Sequence, residues 1–103
     1  MARRSTSTPE PPPPGAAILR ELEARGWSQA DLAMIINRPP RLVNEIIRGK
    51  RAITPRTALE LGAAFGDDAF CWLQREAIYR LSLVAAPNWR IARRARARAN
   101  RHG

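Results

Sequence analysis

A chain of 103 residues with 45% hydrophobic content has room for one domain of ordinary size plus tails. Its single cysteine excludes an internal disulfide framework and fits a reducing, cytoplasmic setting, and no uncharged apolar run approaches the ~18 residues of a membrane span. The net charge is +9, with 18 basic side chains, all but Lys50 being arginine, so the partners expected are polyanions or acidic proteins.

The charge is unevenly placed. Residues 88–103 carry Arg90, Arg93, Arg94, Arg96, Arg98 and Arg101 with no acid, while all 9 acidic residues lie before them. Apolar content runs the other way, with every Leu, Ile, Val and Phe except Ile91 falling between Ile18 and Val84. The organisation expected is a Pro-rich disordered tail over 1–14, a helical domain over 15–86 and an Arg/Ala-rich basic tail over 87–103. Pro9 and Pro11 to Pro14 favour extended polyproline II in the first tail, as a spacer or, less simply, a ligand for an SH3-type domain.

Between the tails the pattern reads as five helices. Ala16 to Arg25 forms the first, with Ile18, Leu19 and Leu22 on one side and Gly26 at its end. Ser28 caps the second, Gln29 to about Ile36, with Asp31 completing a capping box. Asn37 tolerates the left-handed conformation and so suits a sharp turn, and Pro40 suits the first position of a new helix. In the third helix, Pro40 to Arg48, the residues Leu42, Val43, Ile46 and Ile47 fall within an arc of about 140° at 100° per residue. Arg41, Asn44, Glu45 and Arg48 occupy the opposite arc of about 100°. Gly49 ends that helix as the residue just past the cap. Thr54-Pro55 opens the fourth helix, which ends near Phe65-Gly66, and Asp67 or Asp68 caps the fifth, Ala69 to about Ala85. No strand alternation survives, so the fold class is all-α.

Helices two and three form a helix-turn-helix candidate. An α-helix fits the major groove, and arginine and asparagine there can each make two hydrogen bonds, to guanine and to adenine. Arg41 and Asn44 are therefore the candidate base readers, with Glu45 able to accept from cytosine or repel other bases. Gln29, near the positive end of helix two, is placed to donate to a phosphate, and Arg48, Lys50 and Arg51 are phosphate candidates.

On the fifth helix two stripes compete. Phe70, Leu73, Ala77, Leu81 and Val84 are expected to pack on helices one and four. Trp72, Glu76, Tyr79 and Leu83 make a second face, expected as a homodimer contact. The basic tail is low in complexity and is expected to be flexible. Ala and Arg are good helix formers, but no strong apolar stripe is present. Six like charges repel in the free chain and could order on phosphate, bind an acidic protein surface, or stay solvated. Catalysis finds no footing: His102 stands alone, Cys71 has no histidine near it in sequence, Asp67-Asp68 reads as a helix cap, and no metal or cofactor motif is present. The chain is expected not to be an enzyme.

Taken together, Ser28-Gln29-x-x-Leu32-Ala33, Asn44-Glu45-Ile46-Ile47-x-Gly49-Lys50-Arg51-x-Ile53-Thr54 and Thr57-Ala58-Leu59-x-Leu61 resemble the HigA antitoxin family, within the larger phage-repressor-like helix-turn-helix group. The resemblance runs from about residue 11 to residue 83. Cys71, Gln74, Arg75 and Glu76 stand where the family usually has Phe, Asn, Leu and Gln, and Arg80 stands where it has an acid. The resemblance implies a five-helix fold and a cytoplasmic, dimeric repressor that binds a near-palindromic double-stranded DNA operator of its own operon. It implies too the antitoxin of a HigB-type mRNA-cleaving toxin, with Gln29 and the outer face of helix three at the family's DNA-contacting positions. Two readings stand beside it: a phage-repressor-like regulator with no toxin, and an RNA- or protein-binding module driven by the arginine tail.

Overall fold

The computed structural model describes residues 12–84 and 88–100, and over these the chain is helical with no strand. Six helices follow in order: α1 (Pro14–Arg25), α2 (Gln29–Ile36), α3 (Pro40–Ile47), α4 (Pro55–Phe65), α5 (Ala69–Val84) and α6 (Trp89–Asn100). The first five match the expected elements within a residue or two. The expected Pro-rich tail lies mostly outside the described residues, and Pro14 belongs to the first turn of α1, where its missing amide costs nothing.

Local chemistry sets the boundaries. Ser28 Oγ accepts from the Asp31 amide at 3.0 Å and the Asp31 carboxylate accepts from the Ser28 amide at 2.8 Å, so the capping box is complete. Asn37 closes α2 with φ 56° in the left-handed region, as the turn requires. Thr54 caps α4 by accepting from Thr57 N. At the end of α3, Gly49 N donates to Ile46 O and Lys50 N donates to Glu45 O at 2.8 Å. That pair of bonds with Gly49 at φ 74° is a Schellman turn. It satisfies the last carbonyls of α3 and throws the chain outward at Lys50 and Arg51.

The core forms around Ile18, Leu22, Leu32, Leu42, Val43, Ile46, Ile53, Leu61, Phe65 and Trp72, drawn from α1 to α5 and the loop before α4. Gly15 lets α1 approach the end of α3 closely: a Cβ there would sit 2.1 Å from the Ile47 carbonyl oxygen. An aromatic row, Trp27–Phe65–Trp72, with centroids 6.1 and 5.6 Å apart, closes one end of the core. The Arg25 guanidinium lies over the rings of Trp27 and Phe65 and donates to the Phe65 carbonyl at 2.8 Å, joining α1 to the end of α4.

Two expectations are corrected here. The stripes of α5 are largely exchanged: of the stripe expected inside, only Leu73 packs against the core. Trp72 is completely buried and Glu76 is 8% exposed, whereas Phe70, Leu81 and Val84 are 64%, 67% and 73% exposed. Of the four residues expected to meet a second copy, Trp72 and Glu76 are interior, Tyr79 is half-buried and only Leu83 is exposed. The cause is polar pairing. The Trp72 indole donates to Asp67 Oδ1 at 2.8 Å, so the largest side chain of the helix buries without stranding its N–H. One turn on, Glu76 accepts from the Ile53 amide at 3.1 Å and pairs with Arg80. A carboxylate so satisfied is tolerated inside. The second correction concerns the basic tail, which contains a regular helix of 12 residues in place of a flexible segment. Ala and Arg are both strong helix formers.

Candidate nucleic-acid interface

The outer face of α3 is built by its inner face. Leu42, Val43 and Ile46 are buried against α1 and α2, which leaves Arg41, Asn44 and Arg48 exposed and Glu45 half-exposed. The helix begins at Pro40 after the turn Asn37–Pro39, so its first two turns are the part presented to solvent next to the start of α2.

Polar side chains on this face are already oriented. Asn44 Nδ2 donates to Gln29 Oε1 at 3.3 Å, tying the second helix to the third. The amide of Asn44 keeps its oxygen and one N–H, the two groups that match adenine. Gln29 keeps its own NH₂ for a phosphate. Glu45 bridges two arginines: Oε2 accepts from Arg41 Nε at 3.0 Å and Oε1 accepts from Arg51 Nε at 2.9 Å. The hydrogen bonds from Arg51 and then Arg41 hold the Glu45 carboxyl below the usual carboxylate range. Among the described residues both arginines are engaged only through Nε, which leaves their outer nitrogens open to bidentate contacts. The Arg41 side chain is 86% exposed and that of Arg51 is 53% exposed. Glu45 therefore serves as the post on which two cations are set, a part the sequence reading had not given it.

Arg48, the last residue of the face, and Lys50 are both exposed and form no ion pair among the described residues. The structure thus joins Gln29 to Asn44 and Arg41 and Arg51 to Glu45 as two bonded groups on this side of the molecule, and leaves Arg48 and Lys50 exposed beyond them.

Sequence reasoning passed over the residues that hold this side of the molecule. Glu60 on α4 accepts from Arg38 Nη1 at 2.8 Å and from Arg56 Nε at 3.3 Å, fixing the turn that precedes α3. Behind the loop after α3, the bond from the Ile53 amide to Glu76 fixes the backbone, and Arg80 Nη2 reaches the Gly49 carbonyl at 3.4 Å. The loop carrying Lys50 and Arg51 is therefore braced by α5. The Glu76/Arg80 spacing of four residues was the visible sign of an ion pair; its reach to the loop was not visible. Among the described residues no group of three or more His, Cys, Asp or Glu side chains converges as metal ligands would, and no helix is long and apolar enough to cross a membrane.

The comparisons agree with this architecture. The helix-turn-helix family model matches residues 18–66, from α1 to the end of α4. Virulence-associated protein I of Dichelobacter nodosus is 43% identical over 69 residues, which cover 65% of this chain and 64% of that protein. The chain thus spans just under two thirds of that relative. An addiction-module antidote protein of the HigA family from Coxiella burnetii superposes with a TM-score of 0.68 at 32% identity, covering 72% of this chain and 82% of that one. The Pseudomonas aeruginosa antitoxin HigA, solved with the higBA promoter, superposes with a TM-score of 0.70 at 30% identity, covering 80% and 90%. With the braced helix-turn-helix and these similarities together, the chain belongs to the HigA family of helix-turn-helix antitoxins.

Proposed function

We propose that this protein is a sequence-specific repressor that binds a near-palindromic operator upstream of its own operon and, as an antitoxin, neutralises a HigB-type mRNA-cleaving toxin. The observation that carries the DNA reading is the outer face of α3, where Asn44 is held by Gln29 and Arg41 by Glu45 while their groups suited to base edges stay open to solvent. Arg41 and Asn44 read bases, Gln29, Arg48, Lys50 and Arg51 take phosphates, and Glu45 positions the two arginines flanking it. The relative solved with its promoter supports this role, and the toxin rests on family membership. Binding and neutralisation need no catalytic group, metal or cofactor, and the setting is the cytoplasm.

A near-palindrome calls for two copies with recognition helices about 34 Å apart. The surface that fits a two-fold contact is the outer side of α5. Phe70, Ile78, Leu81 and Val84 lie within an arc of about 120° at 100° per residue and are 48–73% exposed. An apolar stripe of that kind gains by being covered. Leu81→Asp should shift the protein from dimer to monomer in analytical ultracentrifugation with its helical circular dichroism unchanged. A dimer that survives Leu81→Asp would move the contact off α5.

The antitoxin part is tested by co-expression with the product of the adjacent gene. Co-purification, with loss of that product's mRNA cleavage in the complex, is the expected result. If the neighbour encodes no ribonuclease, or one that still cleaves in the presence of this chain, the protein is a regulator without a toxin.

A further inference from the structure

The arginines of α6 have no part in the reading above. All residues of this helix from Trp89 to Ala99 are exposed. None of Arg90, Arg93, Arg94, Arg96 and Arg98 forms an ion pair among the described residues, whereas Arg25, Arg38, Arg41, Arg51, Arg56 and Arg80 of the body do and Arg20, Arg48 and Arg75 do not. The helix is also sorted. At 100° per residue, Arg90, Arg93, Arg94 and Arg98 share an arc of about 140° that also holds Ala97; Ile91, Ala92, Ala95 and Ala99 share an arc of about 100° on the other side, and Arg96 lies outside both. We propose that α6 is a second DNA-contacting element, an arginine helix that grips phosphates of the duplex that α3 reads.

The chemistry selects that partner. Arg90, Arg94 and Arg98 follow one another every four residues, a straight row with steps of about 6 Å along the helix axis. Such a row suits successive phosphates of one strand, and a guanidinium matches a phosphate with two parallel bonds. Like charges three and four residues apart repel in the free helix, and phosphates set between them relieve that repulsion. The row also carries no Asn, Gln, Asp or Glu side chain, and no buried neighbour holds its exposed arginines against a base edge as guanine readout would require. Its binding is accordingly to the backbone and independent of sequence.

Two other occupants fit less well. Single-stranded RNA is held by splayed bases stacked on aromatic rings. The one aromatic ring of α6, Trp89, already has the Arg90 and Arg93 guanidiniums at 5.2 and 5.7 Å from its centroid. An acidic protein surface would be anchored by large apolar groups at the centre of the contact. The middle of α6 offers only alanine between its arginines.

This proposal rests on the operator reading of α3, and its test separates the two. The full chain and its triple variant Arg90→Ala, Arg94→Ala, Arg98→Ala, which keeps strong helix formers in place, are titrated by fluorescence anisotropy. The probes are the duplex upstream of the gene, a shuffled duplex, and a single-stranded RNA of the upstream sequence, each at several salt concentrations. At about 0.9 log units per phosphate contact, the salt dependence on both duplexes should become shallower by about 2.7 in the variant. The ratio of native to shuffled affinity should stay the same. An unchanged slope on both duplexes overturns the proposal, whatever that ratio is. A shallower slope with a native-to-shuffled ratio near one in the unmodified protein keeps α6 as a phosphate contact and overturns the operator reading. A larger loss on native than on shuffled duplex overturns backbone-only binding. RNA bound more tightly than either duplex, and more dependent on the three arginines, overturns duplex DNA as the partner.

Discussion

Helices α3 and α6 are both short, cationic on one side and exposed on that side, yet they are held in opposite ways. Three side chains of α3 are buried, its close packing on α1 passes through Gly15, and its following loop is bonded to Glu76 and Arg80 of α5. Two of its candidate DNA contacts are set in place by neighbours, Asn44 by Gln29 and Arg41 by Glu45. Helix α6 buries nothing from Trp89 to Ala99, and its arginines pair with no acid among the described residues. Discrimination between bases needs donors held to a fraction of an ångström, and that demands a packed support. Attraction to phosphate needs only charge within reach. The difference in support thus follows the difference in proposed role, α3 to specify the sequence and α6 to add grip.

The sharpest way to break the contrast is to weaken the packed body that carries α3. Trp72→Ala deletes a completely buried ring and should cost about 3–5 kcal/mol in urea denaturation, whereas the three α6 arginine substitutions should leave the denaturation midpoint unchanged. Equal effects would mean that α6 packs in solution. Next in size, Arg41→Ala should cost about 1–3 kcal/mol on the native operator and relax discrimination at one base pair. Uniform weakening on every sequence would make Arg41 a phosphate contact like those of α6. The smallest effect concerns Glu45. Its carboxyl titrates below 4.5 in the folded protein because Arg51 and Arg41 stabilise the anion. The bridge is thus fully present above that ordinary value and is lost only as pH falls through the lower, folded value. Side-chain NMR should show the Glu45 midpoint below 4.5 and a return toward that value in Arg51→Ala. A midpoint at or above 4.5 would contradict the bridge.

Much of this was legible in the chain because the signals were local. Ser28 with Asp31, Asn37, Gly49 and Thr54-Pro55 mark helix ends through bonds within a few residues, and the two faces of α3 separate cleanly on the helical period. The faces of α5 were misread because both stripes hold large apolar groups. What decided between them were acceptors and donors brought by folding. Asp67 sits under the Trp72 indole, and Ile53, 23 residues away, donates to Glu76. A buried carboxylate looks exposed until its partners are known. In α6 the helix propensity of alanine and arginine was visible, but the density of like charge drew attention to repulsion and away from regular structure. The Gln29–Asn44 bond spans 15 residues; both residues were legible as candidate DNA contacts, and their pairing was not.

The central claim, that α3 reads sequence, is tested most directly by the affinity of the full protein for the duplex upstream of its gene relative to a shuffled copy, measured by anisotropy at one salt concentration beside Arg41→Ala and Asn44→Ala. The expected ratio is about 10³ or more, falling markedly in both variants while their affinity for the shuffled duplex holds. Equal affinity for the two duplexes, or variants that weaken both alike, would contradict it.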